Sequence, residues 1–203
     1  MNPKTCVACK DFPCRDVKHS SYIVPDIELD PQEISILMIS EAAPQVPGDY
    51  YYAGPQALFA QTTLQVFEQA GVKAKSIQDL LDMGIYLTTA VKCAKTAYAI
   101  QTVSLENCSH LLEQELALFP NVKAYLLMGD VAIKAFNLMA KRLGQGRVIP
   151  SGPTYKIRRG SYLYQGRRVF PSYLQAGPSF FIEKGKHKVM AEDIAAAMKL
   201  LPA

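Results

Sequence analysis

Residues 34–40 read ISILMIS. Apart from Ser35 and Ser40 every side chain is apolar, and Ile34, Ile36 and Ile39 are β-branched. A short apolar run without alternation fits a strand covered on both faces. IYLTTAVK (85–92) and KAYLLMG (123–129) read as a second and a third strand. Between and after them the period changes. QALFAQTTLQVFEQA (56–70) carries apolar residues at helical spacing, with Gly71 suited to end the helix. SLENCSHLLEQELAL (104–118) reads as a helix with Ser104 as N-cap, and a further helix is expected over 130–142. SYLYQGRRVFPS (161–172) alternates around a glycine turn, and HKVMAEDIAAAMKLL (187–201) closes the chain as an amphipathic helix. Strands alternating with helices predict an α/β fold of three layers, α/β/α, around a mostly parallel four-stranded sheet. In such folds the site lies outside the carboxyl ends of the strands. SEAAPQ, TTAVKC, MGD and FPSYLQ, each following an expected strand, should therefore share one edge.

The 203 residues suffice for one substantial core, so a single domain over 1–203 is expected. Residues 1–33, rich in Pro, Asp and Cys and without a clear period, read as an irregular arm. The start has no apolar leader, and no apolar run approaches the ~20 residues that span a bilayer. A cytoplasmic monomer with no membrane partner is the expectation. A net charge of +4 is too mild to imply nucleic acid by itself. Its distribution says more, because KIRRGSYLYQGRR (156–168) holds Lys156, Arg158, Arg159, Arg167 and Arg168 with no acid. That stretch is either a phosphate-binding patch or a solvated hairpin.

The five cysteines are Cys6, Cys9, Cys14, Cys93 and Cys108. In a reducing compartment they read better as thiolate ligands than as disulfides. Cys6 and Cys9 form C-x2-C, which lets two sulfurs converge on one metal. Cys93 ends the second strand and Cys108 lies in the next helix. Four such thiolates suit an iron–sulfur cluster or an all-thiolate zinc site, and spacing alone leaves Cys14 a candidate. The plain alternative is that buried free cysteines pack as small hydrophobes.

With these segments in view the chain resembles the uracil-DNA glycosylase superfamily, most of all its iron–sulfur branch, family four. TTAVKC is similar to that family's TNVVKC, and SEAAP to its GEAPG. FPNVKAYLLMGDVAIKAF resembles its P-x-hydrophobic-LG-x-x-A segment, and FPSYL before a closing helix resembles its HPSYL. The resemblance covers roughly residues 4–200. It implies a [4Fe–4S] cluster on Cys6, Cys9, Cys93 and Cys108 that pins the arm, with Cys14 spare; zinc is the alternative metal. It implies DNA carrying a damaged or deaminated base as partner, and base excision as activity.

The chemistry sets the roles. Such an enzyme flips a nucleotide into a pocket, stabilises an oxocarbenium-like sugar and the departing base, and positions a water. The resemblance gives Glu41 the water-activating loop, with Asp49 as its helper or as a turn former. It gives Tyr52 the stacking of the base and Leu174 the wedge that fills the vacated stack. Ser172, Arg158, Arg159, Arg167 and Arg168 would contact DNA. Two positions depart from the pattern. Thr89 stands where the family's base-reading asparagine stands, and a hydroxyl cannot reproduce an amide's paired donor and acceptor. Phe170 stands where the histidine of HPS would face the base, and offers no donor. The expected function is hydrolysis of the N-glycosidic bond of uracil or a related base. A catalytically weak or inactive iron–sulfur nucleic-acid-binding protein is the alternative. A small-molecule enzyme on the same scaffold is a third, more distant reading.

Overall fold

The computed structural model describes residues 1–201. The last two residues of the expected domain, 202 and 203, lie outside the described residues. Along the chain, α1 (Pro3–Cys6) and β1 (Val17–Lys18) belong to the amino-terminal arm. Then come β2 (Ile36–Ala43), α2 (Leu58–Gln69), α3 (Ile77–Asp82), β3 (Ile85–Lys95), α4 (Thr102–Leu116), β4 (Ala124–Met128) and α5 (Asp130–Arg142). The chain ends with α6 (Thr154–Ile157), β5 (Tyr162–Tyr164), β6 (Arg167–Ser172), α7 (Ser179–Ile182) and α8 (His187–Met198). Among the described residues no helix is long and apolar enough to cross a membrane.

The sheet has six strands in the order β1-β3-β2-β4-β6-β5, two more than the four expected. The four central strands are parallel to their neighbours, as the apolar runs implied. The additions are antiparallel edges. β1 is a two-residue piece of the arm laid against the end of β3, and β5 is one leg of the glycine-turn hairpin. Both edges are short, which limits unpaired backbone at the rim.

ISILMIS lies at the centre because β2 is flanked by β3 and β4. Its alternate residues split between two layers. Ile36 and Met38 join Leu87, Leu126 and the inner faces of α2, α3 and α8. Leu37 and Ile39 join Tyr86, Leu127 and the inner faces of α4 and α5. Both faces of each central strand are thus buried, which is why these runs do not alternate. A third cluster joins Val7, Cys14, Val17 and Val24 of the arm to Val91, Cys93, Leu105 and Cys108. The arm, largely without regular structure beyond α1, β1 and a 3-10 turn at His19–Ser21, is thus docked onto β3 and α4. Ile23 N–H donates to Lys92 O (2.8 Å), and the Asp16 carboxylate accepts from Gln101 N–H (2.6 Å) and from the Ser104 hydroxyl. Ser104 is consequently not the N-cap of α4; Gln101 holds that position, and Ser104 lies inside the helix turned toward the arm.

One charged pair is fully enclosed. Lys92 Nζ on β3 donates to the Glu115 carboxylate of α4, to Thr88 Oγ1 (2.8 Å) and to Thr89 O (2.6 Å). Glu115 also accepts from the Tyr86 and Thr88 hydroxyls (2.8 and 2.9 Å). Every proton of the ammonium has an acceptor, the condition under which a buried ion pair is tolerated.

Candidate active site

β2 sends its connection to one side, toward β3, and the chain then crosses back to β4 on the other side. Such a reversal opens a crevice at the carboxyl ends of the strands. Glu41, near the end of β2, sits there. Its carboxylate accepts from Lys95 Nζ at the end of β3 (2.8 Å) and from Val131 N–H in the first turn of α5 (3.3 Å). Gly129, between β4 and α5, has φ +102°, and a Cβ there would lie 2.6 Å from Glu41 Oε1. The glycine is thus required twice, by its backbone and by the carboxylate packed on it. The register of β2 against β3 shifts between Ala42 and Ala43, an irregularity that re-aims the strand end beside the site.

Two cavities meet on the Glu41–Lys95 pair. One, of about 360 Å³, is mostly apolar and is walled by Ala42, Pro44, Leu58, Phe59 and Pro178, with Asp49 at its edge. The other, of about 380 Å³, is more polar and is walled by Asp130, Lys134, Thr154, Tyr173, Glu183 and Lys186. Leu174, Tyr98 and Ser179 belong to both. An apolar slot beside a polar one, with an oriented carboxylate between them, suits a flat heterocycle attached to a charged, hydroxylated chain.

The structure thus brings together Glu41, Asp49 and Leu174. It does not bring Tyr52, Thr89, Phe170 or Ser172 to either cavity. The Tyr52 hydroxyl is tied to the β3 backbone, donating to Leu87 O (3.0 Å) and accepting from Leu87 N–H (2.9 Å). Thr89 is 0% exposed, and its Oγ1 has no hydrogen-bond partner among the described residues. Its neighbour across the sheet, Ser40, bonds the Tyr51 hydroxyl and Gln175 Oε1, and Gln175 Nε2 donates in turn to Tyr51 and Thr63. These side chains bond one another and leave the Thr89 hydroxyl out of their network. Phe170 packs in the α2–α3–α8 layer with the Arg168 guanidinium 4.8 Å from its ring centroid. Ser172 is buried and donates to Asp193 (2.5 Å).

The basic stretch is divided by the topology. β6 runs parallel to β4 with Arg168 opposite Ala124, the first residue of β4. Arg167 and Arg168 therefore lie at the amino ends of the strands, and Arg168 is about 13 Å from Ser172 at the carboxyl end of β6. Arg167 donates to Tyr125 and Pro120 O, and Arg168 to Ser161 and Tyr162 O. Arg158, only 11% exposed at its side chain, forks onto Asp193 and reaches Glu192. Burial raises the Asp193 carboxyl above its ordinary value, against the opposing pull of Arg158 and Ser172. Among the described residues Arg159, alone of the four arginines, is exposed and without an internal partner. The sequence pattern read as one hairpin patch is thus a mixture of three structural anchors and two solvated cations, Lys156 and Arg159. The cations at the cavities are Lys95, Lys134 and Lys186.

At the arm, Cys6, Cys9, Cys14 and Cys108 line a cavity of about 620 Å³, and Cys93 is buried in the adjoining cluster. Burial pushes the Cys93 thiol up to about 12, and the neighbouring Cys108, Cys9 and Cys14 sulfurs push it the same way. Burial likewise pushes Cys108 up to about 11, although a backbone hydrogen bond from Lys92 opposes it. Mutual repulsion of this kind means the sulfurs share one neighbourhood. Among the described residues no three His, Cys, Asp or Glu converge tightly enough to hold one metal ion. Cys6, Cys9, Cys14 and Cys108 border the arm cavity and Cys93 lies in the cluster beside it, and donors of this type and number suit a polynuclear thiolate-held group.

Sequence reasoning missed Lys95, Tyr98, Gly129 and Tyr173. The signal was available: all four lie within a few residues of an expected strand's carboxyl end, but β3 runs three residues past the 85–92 expectation and so carries Lys95 into the site.

A mostly parallel sheet with helices on both faces and a carboxylate at the crevice beyond its strand ends belongs to the class of three-layer α/β folds that place their ligands at that edge. The model of the uracil DNA glycosylase superfamily matches residues 28–191, and the chain belongs to that superfamily. It is 28% identical over 116 residues to a type-5 uracil-DNA glycosylase of Thermus thermophilus, a match covering 55% of this chain. The chain spans about half the length of that curated relative, 53%. The relative is of type five, whereas the cysteine order and TTAVKC resemble family four; both are branches of the one superfamily.

Proposed function

We propose that this chain is a DNA glycosylase that hydrolyses the N-glycosidic bond of a deaminated base, uracil or a related one, in DNA. The observation that carries the reading is Glu41. Its carboxylate stands where an apolar and a polar cavity meet, aimed by Lys95 and by Val131 N–H, in a chain of this superfamily. The target nucleotide leaves the helix and its base enters the apolar slot between Phe59 and Pro178. Glu41 orients a water against C1′ of the sugar. The water oxygen bonds to C1′ as the C1′–N bond breaks, the bonding pair leaves with the base, and the water's proton ends on the base. The carboxylate also opposes the positive charge that develops on the sugar. Leu174, on the rim of both cavities, fills the gap in the stack.

Cys6, Cys9, Cys93 and Cys108 are the residues proposed to hold a [4Fe–4S] cluster, with zinc as the alternative metal. Bound there, it would supply a structural clip between the arm, β3 and α4. The support is the donor set around the arm cavity.

A second reading, a catalytically weak or inactive DNA-binding protein, draws support from Thr89 and Phe170. Neither offers a base-reading or donor group to the cavities. One experiment separates the two. Duplexes carrying uracil, hypoxanthine or xanthine are incubated with the metal-replete protein, with an active glycosylase in parallel. Release of any of these bases, abolished in Glu41→Gln, is the expected result. Binding without release supports the second reading, and neither binding nor release removes both.

A further inference from the structure

Tyr98 is 97% exposed and lines both cavities together with Leu174. The loop that carries it joins β3 to α4, and a single arm residue holds both of its ends. At one end Thr96 N–H and Thr96 Oγ1 donate to Asp16 O (3.3 and 2.8 Å). At the other, Gln101 N–H donates to the Asp16 carboxylate (2.6 Å), as does the Ser104 hydroxyl. Despite partial burial, these bonds hold the Asp16 carboxyl below the ordinary carboxylate range. An aromatic ring left wholly in water stabilises nothing in the free protein. A clamped loop, however, presents it without a large ordering cost on binding.

We infer that Tyr98 is a second DNA-engaging residue, which stacks on a base exposed when the target nucleotide leaves the helix, and that Asp16 positions it. This rests on the proposed action on DNA. Its chemistry is independent of base release. Every nucleobase has a π-face, and the rim also offers Lys134 and Lys186 to the neighbouring phosphates. Tyr98 and Leu174 both line the two cavities, so an extruded nucleotide meets an aromatic and an aliphatic side chain there. The arm, distant from Glu41 in sequence, thereby contributes to the site.

The test uses the full chain and a duplex with a stable abasic-site analogue beside 2-aminopurine. Loss of one base–aromatic stack weakens binding roughly 5- to 150-fold. Tyr98→Ala should lose affinity in that range and lose the quenching of 2-aminopurine, while Tyr98→Trp should restore both. Asp16→Ala should lower affinity in the same sense, and the Asp16→Ala/Tyr98→Ala double variant should lose less than the two single losses combined. Wild-type binding matched by Tyr98→Ala overturns the inference and leaves the glycosylase reading standing. Additive losses overturn the positioning role of Asp16. A wild-type protein that binds none of the duplexes overturns both the inference and the reading beneath it.

Discussion

Glu41 and Gly129 act as one unit. The carboxylate lies against the glycine, so the site tolerates no β-carbon there. Gly129→Ala should cost about 1–3 kcal/mol for the forced backbone conformation. It should also displace Glu41 and lower the rate of base release while the fold persists, as checked by thermal melting alongside kinetics. Glu41→Ala should reduce that rate roughly 100- to 10,000-fold, the range for a lost general base, with little change in stability. The resemblance of SEAAP to the family's GEAPG singled out Glu41, in a segment that the strand pattern placed at the functional edge. It did not single out Lys95, since a lysine in a polar loop and a lysine paired to a carboxylate at the site look alike in one dimension. Thr89 and Phe170 were visible as departures from a pattern. That Thr89 is wholly buried and Phe170 packs in the α2–α3–α8 layer depends on neighbours far away in sequence.

At the scale of elements, β3 and α4 are joined by Lys92 and Glu115. Glu115→Ala leaves an ammonium buried without its counter-charge and should cost about 3–5 kcal/mol in urea unfolding. Lys92→Met with Glu115→Leu should cost far less than the sum of the two single changes, because no lone charge remains. The loop between the same two elements depends on Asp16. Its folded-state pKa is depressed, so its stabilising effect is fully present above the unfolded value of about 3.9. That effect is lost as pH falls below this value through the folded one. Proteolytic cleavage within residues 96–101 should rise in that acid window, and Asp16→Asn should flatten the rise. The element boundaries themselves were largely legible. α5 falls on the expected 130–142, and the glycine after α2 takes φ +82°. The two-residue β1 was not legible, since its strand character comes only from Lys95 and Ala94 across from it.

Over the whole molecule, the two ends of the sheet carry different cations, Lys95, Lys134 and Lys186 at the carboxyl ends and Arg167 and Arg168 at the amino ends. Lys134→Ala with Lys186→Ala should weaken DNA binding and reduce the salt slope by about 0.9 for each phosphate no longer neutralised. Arg167→Ala with Arg168→Ala, at the far ends of the strands, should leave that slope unchanged. At the arm, the proposed cluster makes Cys9→Ser the variant that should lower bound iron and sulfide and loosen the arm, whereas Cys14→Ser should leave the metal content intact. The sequence by itself determined the layer order and the parallel centre of the sheet, because burial on both faces writes itself as unbroken apolar runs. It also determined the edge at which function gathers, because parallel strands end on one side. Only the tertiary structure decided which residues meet at that edge. Register sent the arginines of the hairpin to the opposite end, and a strand three residues longer than expected brought Lys95 to Glu41. An arm residue, Asp16, took hold of the loop that presents Tyr98. These are long-range pairings, and their partners are chosen by packing that no local pattern records.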